Sequence, residues 1–320
     1  MGKVIIAEGA LLARIVALQA SACSGLSREA FERFDAAQAR TTWALNHRRR
    51  FALVEGDEVL ASAEQYDLSG VVDQQPVSIC ELASVFTIDG DHASDHAGEL
   101  VERLVAAASD QGTDMALVFN SAGALPWLKH FEAVPTVDTV LTVTESLRYG
   151  APMTLVRGGE DRDLQAITAM GKVLGQRFHF HLDRSSDFIK HVITRKRLIA
   201  GLGLKGHRQL EFVIAEEGIT AAAYLVISVA NGTWTIEECG DRDPSGARVG
   251  AILQALIARE PAESRPLIRG WLPPGFLPPQ VKVAATTEAP PVLFARALSR
   301  RIPKLQFSVP DVMYWINDLL

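Results

Sequence analysis

Two segments carry side chains spaced for chemistry. His92-Ala93-Ser94-Asp95-His96 places two imidazoles four residues apart with a carboxylate between them. On a helix that spacing puts both rings on one face, where they can share a metal ion. Asp95 is a shorter base than the Glu that two-histidine zinc helices use, and the sequence offers no evident third ligand, so no metal is expected. The backbone supplies a second chemistry. The segment lies between an apolar run ending at Ile88 and a helical run starting at Ala97, so its peptide N–H groups open a helix. First-turn N–H groups have no intrahelical acceptor and sit at the positive end of the helix dipole, which makes an anion site. Ser245-Gly246-Ala247-Arg248-Val249-Gly250 opens another helix in the same way, with Asp241 and Asp243 just before it. Two other runs read as plain surface. His179, His181 and Asp183 alternate with Phe178, Phe180 and Leu182, which predicts a strand whose histidines face water. Arg48-Arg49-Arg50 reads as a solvated rim, available to an acidic substrate or a coenzyme phosphate.

The elements that must position these groups follow from periodicity. Helical spacing runs over Ala10–Ser24, with Leu11, Ile15 and Leu18 on one face, and over Arg28–Ala39, with Phe31 and Phe34 on another. Phe51 to Ala63 holds two apolar runs around a charged glycine turn, the pattern of a hairpin. A strand over Val77–Ile88, a helix over Ala97–Ser109 and a buried strand over Met115–Asn120 follow. From Asp163 the order starts again: helices over Asp163–Leu174 and Ser186–Ile199, a hairpin from Leu210 to Ala230 around Glu217-Gly218, a strand over Trp234–Glu238, a helix over Ala247–Ala258 and a strand over Leu267–Gly270. Phe51 then corresponds to Phe212 and Met115 to Leu267. An internal duplication of one α+β unit accounts for this order, with a boundary in the turn-rich Tyr149-Gly150-Ala151-Pro152 and units at 1–149 and 150–320.

The strand, loop, helix and strand of the first unit resemble the GNAT superfamily of N-acetyltransferases, in which a fourth strand, a pyrophosphate loop and a third helix carry the pattern Arg/Gln-x-x-Gly-x-Gly/Ala. Val85-Phe86-Thr87-Ile88 stands at the strand end, His92 to Ala97 takes the place of the loop, and Leu100 is the apolar position beyond it. Ala116 to Ser121, then Leu125-Pro126-Trp127 and Phe131, look like the fifth strand and the helix after it. The resemblance covers nearly the whole chain as a tandem of two such units. It implies an α+β fold in which each unit is a mixed, mostly antiparallel sheet flanked by helices. It also implies acetyl-coenzyme A as co-substrate, lying between splayed fourth and fifth strands. Backbone groups of Val85, Phe86 and Thr87 would pair with the pantetheine arm. Those of His92, Ala93, Ser94, Asp95, His96, Ala97 and Gly98 would hold the pyrophosphate, with Asn120 of the fifth strand also binding the co-substrate. A primary amine would attack the thioester directly in a ternary complex. Glu81, four residues before Val85, is the candidate base; the terminal carboxylate of Leu320 and a bound water are the alternatives.

Two departures from the family pattern bear on activity. Asp95 replaces the glycine nearest the phosphates, and a carboxylate about 4 Å from a phosphate charge at an effective dielectric of ~20 costs ~4 kcal/mol. Trp127 takes the place of the tyrosine acid and has no proton to give at neutral pH. They support a second reading, a catalytically inactive relative that binds a ligand or protein through the old cleft. In the second unit, the carboxylates beside its loop predict a supporting role and no second active site.

Composition narrows the partners. With 48% hydrophobic and 22% charged residues the chain is an ordinary folded protein. A net charge of −6 argues against nucleic acid; the resemblance implies a small-molecule or peptide amine as partner, with a homo-oligomer open. Cys23, Cys80 and Cys239 have neither disulfide-framework nor zinc spacing, which fits a reducing cytoplasm. Glu8 and Arg14 interrupt what would otherwise resemble a secretion signal. The longest uncharged run, Gly218 to Ile236, contains Asn231-Gly232 and reads as two strands, so no membrane span is expected.

Overall fold

The structure is a computed structural model and describes residues 2–22, 25–88, 92–120, 125–135, 137–144, 155–203, 208–289, 291–302, 305 and 307–320. Cys23 and the expected boundary at 149–152 lie outside these residues. The first half opens with a short strand β1 (Lys3–Ile6) and helices α1 (Gly9–Ala22), α2 (Arg28–Ala39) and α3 (Thr42–His47). Ser27 and Thr41 cap α2 and α3 by accepting the N–H groups of Ala30 and Ala44. Phe31 and Phe34 of α2 pack on Val16 and Ala20 of α1. Strands β2 (Arg48–Glu55), β3 (Glu58–Val72) and β4 (Gln75–Thr87) form a meander whose second turn places Asp73 and Gln74 at positive φ. Helix α4 (Ala93–Asp110) lays Leu100, Val101, Leu104 and Val105 on the sheet, and β5 (Met115–Phe119), β6 (Glu132–Ala133) and β7 (Val137–Val143) follow.

The second half runs β8 (Leu155–Gly158), α5 (Leu164–Gly175), β9 (Phe180–Leu182), α6 (Ser186–Leu202), β10 (Gln209–Glu217), β11 (Thr220–Ala230), β12 (Thr233–Asp241), α7 (Ala247–Ile257), β13 (Leu267–Gly270), β14 (Val281–Glu288), β15 (Leu293–Ala297) and β16 (Val312–Met313). The uncharged run is the β11–β12 hairpin: Asn231 and Gly232 adopt φ of 49° and 73°, the left-handed pair that a two-residue turn requires. No described helix is long and apolar enough to cross a membrane.

Two mixed, mostly antiparallel sheets flanked by helices result, the α+β architecture expected. The first has the order β1-β2-β3-β4-β5-β15-β6, and the second, read in the matching direction, β8-β10-β11-β12-β13-β7-β14. Position by position the orders correspond, including a parallel pair at the centre of each, β4 with β5 and β12 with β13. The sixth place in each sheet is filled from the other half of the chain. Strand β7 pairs antiparallel with β13 and β14, and β15 pairs antiparallel with β5 and β6. Strand β9 extends the far end of β3 and itself pairs with β16 from the tail.

Candidate active site

The parallel pair β4–β5 runs from Ile79 opposite Met115 to Leu82 opposite Val118, although β4 itself continues to Thr87. The reason lies at Ser84, whose φ of +51° goes with a register shift: Ala83 faces Glu64 on β3, while Phe86 faces Ser62. A bulge bends its strand, and here it turns β4 away from β5. Gln19 of α1 donates to the Ser84 carbonyl at 3.2 Å, so the bend is held from the helix layer. The other arm is held from the tail side, where the Asn120 N–H donates to the Val292 carbonyl at 2.8 Å. The two strands therefore open as a V. Among the described residues no strand pairs with Val85, Phe86 and Thr87 on the β5 side.

Helix α4 starts beside this opening. His92 is its N-cap and makes no side-chain cap hydrogen bond, so among the described residues no capping side chain covers the first-turn N–H groups of Ala93, Ser94 and Asp95. The Asp95 side chain is 82% exposed, with one oxygen 3.5 Å from His92 Nδ1. In water-like surroundings the cost of this carboxylate near a phosphate falls toward ~1 kcal/mol. The His92 and His96 rings lie 6.2 Å apart at 53°, and among the described residues no three metal-ligating side chains come together. Ala97 is buried beneath the helix. Gly98 lets Trp127 lie against α4: a Cβ there would stand 3.1 Å from the Trp127 Cβ. Ser94, Asp95, Gly98, Trp127 and Lys129 line a shallow groove of about 480 Å³ at the helix start.

Glu81 stands one residue before the end of the parallel pairing, opposite Leu117 on β5 and Tyr66 on β3. Its neighbours Cys80 and Leu82 face α4, so strand alternation sends the Glu81 side chain to the opposite face. There it is 2% exposed, and its Oε1 has no hydrogen-bond partner among the described residues. Burial, reinforced by the Asp318 carboxylate, pushes its pKa up to about 8 against the opposing pull of a Leu320 backbone N–H and Arg195. Leu117, Phe180, Leu182, Tyr314 and Asp318 enclose a small gap beside it. Three of these, Leu182, Tyr314 and Asp318, also border a cavity of about 470 Å³ between α5, β9 and the tail. Glu81 thus lies between the V and an internal cavity.

The matching place in the second unit is closed by its own side chains. Strands β12 and β13 pair only as far as Ile236 and Gly270, where a register shift against β11 follows at Glu237, so the same bent strand is present. Asp241 caps α7, its Oδ2 accepting the N–H groups of Arg248 at 2.8 Å and Val249 at 3.3 Å. Arg248 is itself held by Asp241 and Glu217. Phe276, Pro278 and Gln280 crowd Gly246 and Gly250, where a Cβ would collide with them.

Two sequence expectations are corrected. Arg48 and Arg50 are no solvated rim: both are buried in a network with Asp35 and Glu64, Arg48 at 2.5 and 2.8 Å from these carboxylates, and Arg50 donates to Gln19 at 2.7 Å. Of the three arginines only Arg49 reaches the surface. His181 does not face water either. It is 8% exposed and pressed against α5 at Gly175, whereas His179 is exposed and bonded to Asp73 at 2.7 Å. The arginines are buried by carboxylates of other elements, and His181 by the end of α5 and by the pairing of β9 with β3 and β16. The cavity residues Arg184, Tyr314, Trp315 and Asp318 belong to no motif that the sequence displays.

No family model matches the chain, and no curated protein matches it in sequence. Solved structures match it in fold. A GCN5-related N-acetyltransferase from Anabaena variabilis ATCC 29413 superposes with a TM-score of 0.65 at 10% identity, over 94% of this chain and 74% of that one. Eis1 from Mycobacterium abscessus does so with 0.58 at 12% identity, over 93% and 74%. N-myristoyltransferase from Saccharomyces cerevisiae with bound myristoyl-CoA gives 0.53 at 11% identity, over 84% and 76%. The chain has the GNAT fold, as its sequence suggested.

Proposed function

We propose that this chain is an acyl-coenzyme-A-dependent N-acyltransferase whose first unit carries the site, with acetyl-coenzyme A as co-substrate and a primary amine as acceptor. The observation that carries the reading is the V between β4 and β5 with a buried, proton-holding Glu81 at its vertex. An extended pantetheine amide chain fits the free peptide edge of Val85, Phe86 and Thr87, since it offers the same donors and acceptors as a strand. The start of α4 suits the pyrophosphate, because its N–H groups have no side-chain cap among the described residues and Asp95 turns toward water. The second unit has committed the equivalent N–H groups to Asp241, which favours a single site.

In this reading the amine nitrogen forms a bond to the thioester carbonyl carbon as the carbon–sulfur bond breaks. Ionised Glu81 takes the proton from nitrogen, and the thiolate leaves to be protonated by water, as Trp127 cannot supply the proton. The raised pKa matches this role, because a carboxylate of higher basicity accepts a proton from an ammonium more readily than one at the ordinary value. The fold of the myristoyltransferase holding an acyl-coenzyme A supports the co-substrate class.

Calorimetric titration with acetyl-coenzyme A, followed by thiol release with a panel of primary amines, tests the proposal. Absence of binding at high micromolar coenzyme would overturn it. Binding with no thiol release on any amine would favour the non-catalytic binder, to which Trp127 lends support.

A further inference from the structure

The cavity of about 470 Å³ has the size of a small-molecule pocket and the chemistry of a particular ligand. Phe178, Ile189 and Met313 give it an apolar wall. Two residues of its lining each carry a buried polar atom that lacks a partner among the described residues: His181 Nδ1, on a residue 8% exposed, and Trp315 Nε1, on one 1% exposed. Unsatisfied polar atoms at this depth are costly, and a ligand's polar group would relieve the cost. The charges beneath are unbalanced. Buried Arg184 faces two buried carboxylates, Glu238 at 2.6 Å and Asp318 at 2.8 Å. The contact with Asp318 is an ion pair out of line for a hydrogen bond, so Asp318 Oδ1 accepts no hydrogen bond among the described residues, while its Oδ2 accepts the Trp315 backbone N–H at 2.9 Å. At the rim, exposed Lys172 and Asp183 offset one another. Among these three groups one negative charge is in excess, at the end of the cavity nearest Glu81, where the Arg195 guanidinium donates to the Leu319 carbonyl at 3.3 Å.

We propose that this cavity binds a compact primary ammonium with an apolar or aromatic body, its charge against Asp318 and its body against Phe178 and Met313. That it is the acceptor pocket rests on the acyltransferase reading; the ligand class rests on the cavity alone. An uncharged or anionic ligand of equal shape leaves the excess negative charge in place and is disfavoured.

Calorimetry on the full chain without coenzyme tests this with 2-phenylethylamine, 2-phenylethanol and phenylacetate. The amine should bind with a Kd of about 1 mM or lower, and the other two at least about tenfold more weakly. The variant Gly171→Phe fills the cavity from α5, where a Cβ meets nothing within 4 Å, and should weaken amine binding by about tenfold or more. Asp318→Asn should abolish the preference for the amine. Equal binding of the three probes, no binding of any, or an amine Kd untouched by Gly171→Phe would overturn the inference. Gly171→Phe remains informative if Asp318→Asn fails to fold. Amine binding that is lost in Gly171→Phe, on a protein that never releases thiol, would sustain the pocket and sink the acyltransferase reading. Thiol release on phenylethylamine that is unaffected by Gly171→Phe would do the reverse.

Discussion

Replacing Glu81 by Gln tests the centre of the site through stability as well as activity. The side chain is 2% exposed beside Asp318, and burial raises its pKa from the ordinary 4.5 to about 8. Between those pH values the folded state holds a proton that the unfolded chain has released. The stabilisation is therefore complete below about pH 4.5 and is lost as pH rises through about 8, a change of about 5 kcal/mol. Gln copies the neutral carboxyl in shape and cannot ionise. At pH 5 the two proteins should agree to within about 1 kcal/mol, and by pH 9 the variant should be the more stable by several kcal/mol. Asp318, raised to about 6 chiefly by burial, adds a slope of the same sign to both proteins, so the difference between them reports Glu81. Urea unfolding of both at pH 5, 7 and 9 gives the answer. Parallel curves would show that Glu81 titrates normally and would remove the physical basis of the assignment. In a transfer assay kcat/KM should rise with pH through about 8, and Glu81→Gln should lower kcat by about 10²–10⁴-fold and flatten that rise.

Asp95→Gly should tighten acetyl-coenzyme A binding by less than about tenfold, since the carboxylate is 82% exposed; a hundredfold gain by calorimetry would mean that it faces the phosphates. Arg50→Met strips one partner from a buried network that includes Asp35 and Glu64 and should cost about 3–5 kcal/mol in urea unfolding, whereas a surface rim would show almost no loss. Asp241→Ala uncaps α7 and should cost about 1–2 kcal/mol of stability while leaving the coenzyme Kd unchanged; a changed Kd would place a coenzyme site in the second unit.

Local patterns carried most of the architecture. The Asn231-Gly232 turn, the amphipathic spacing of α4 and the recurrence of one element order were all readable, because each depends on residues close in sequence. Pairings across the chain were not. Val137 to Val143 looks like any short strand, and nothing in it names β13 and β14 as its neighbours. Arg48 and Arg50 read as solvated because their carboxylate partners, Asp35 and Glu64, belong to other elements. Glu81 was visible as a strand carboxylate, but its altered basicity was not, since Asp318 and Leu320 arrive from the far end of the described chain. Asp95 was legible as a departure in type; its turn toward solvent is a matter of helix geometry that composition does not carry.

The reciprocal exchange of strands gives the second half of the molecule a mechanical duty toward the first. One jaw of the V, β5, is clamped along its outer edge by β15, which pairs Met115 with Ala297 and Phe119 with Leu293. Its counterpart β7 is built into the opposite sheet. Neither half can be lifted away without stripping a lattice of backbone bonds from the other, so the pair must mature as one cooperative body whose decisive contacts join distant stretches of chain. The second half, whose own helix start is held by Asp241, thereby braces the outer edge of β5: losing it would strip that strand of its β15 partner, whatever became of the residues inside the V.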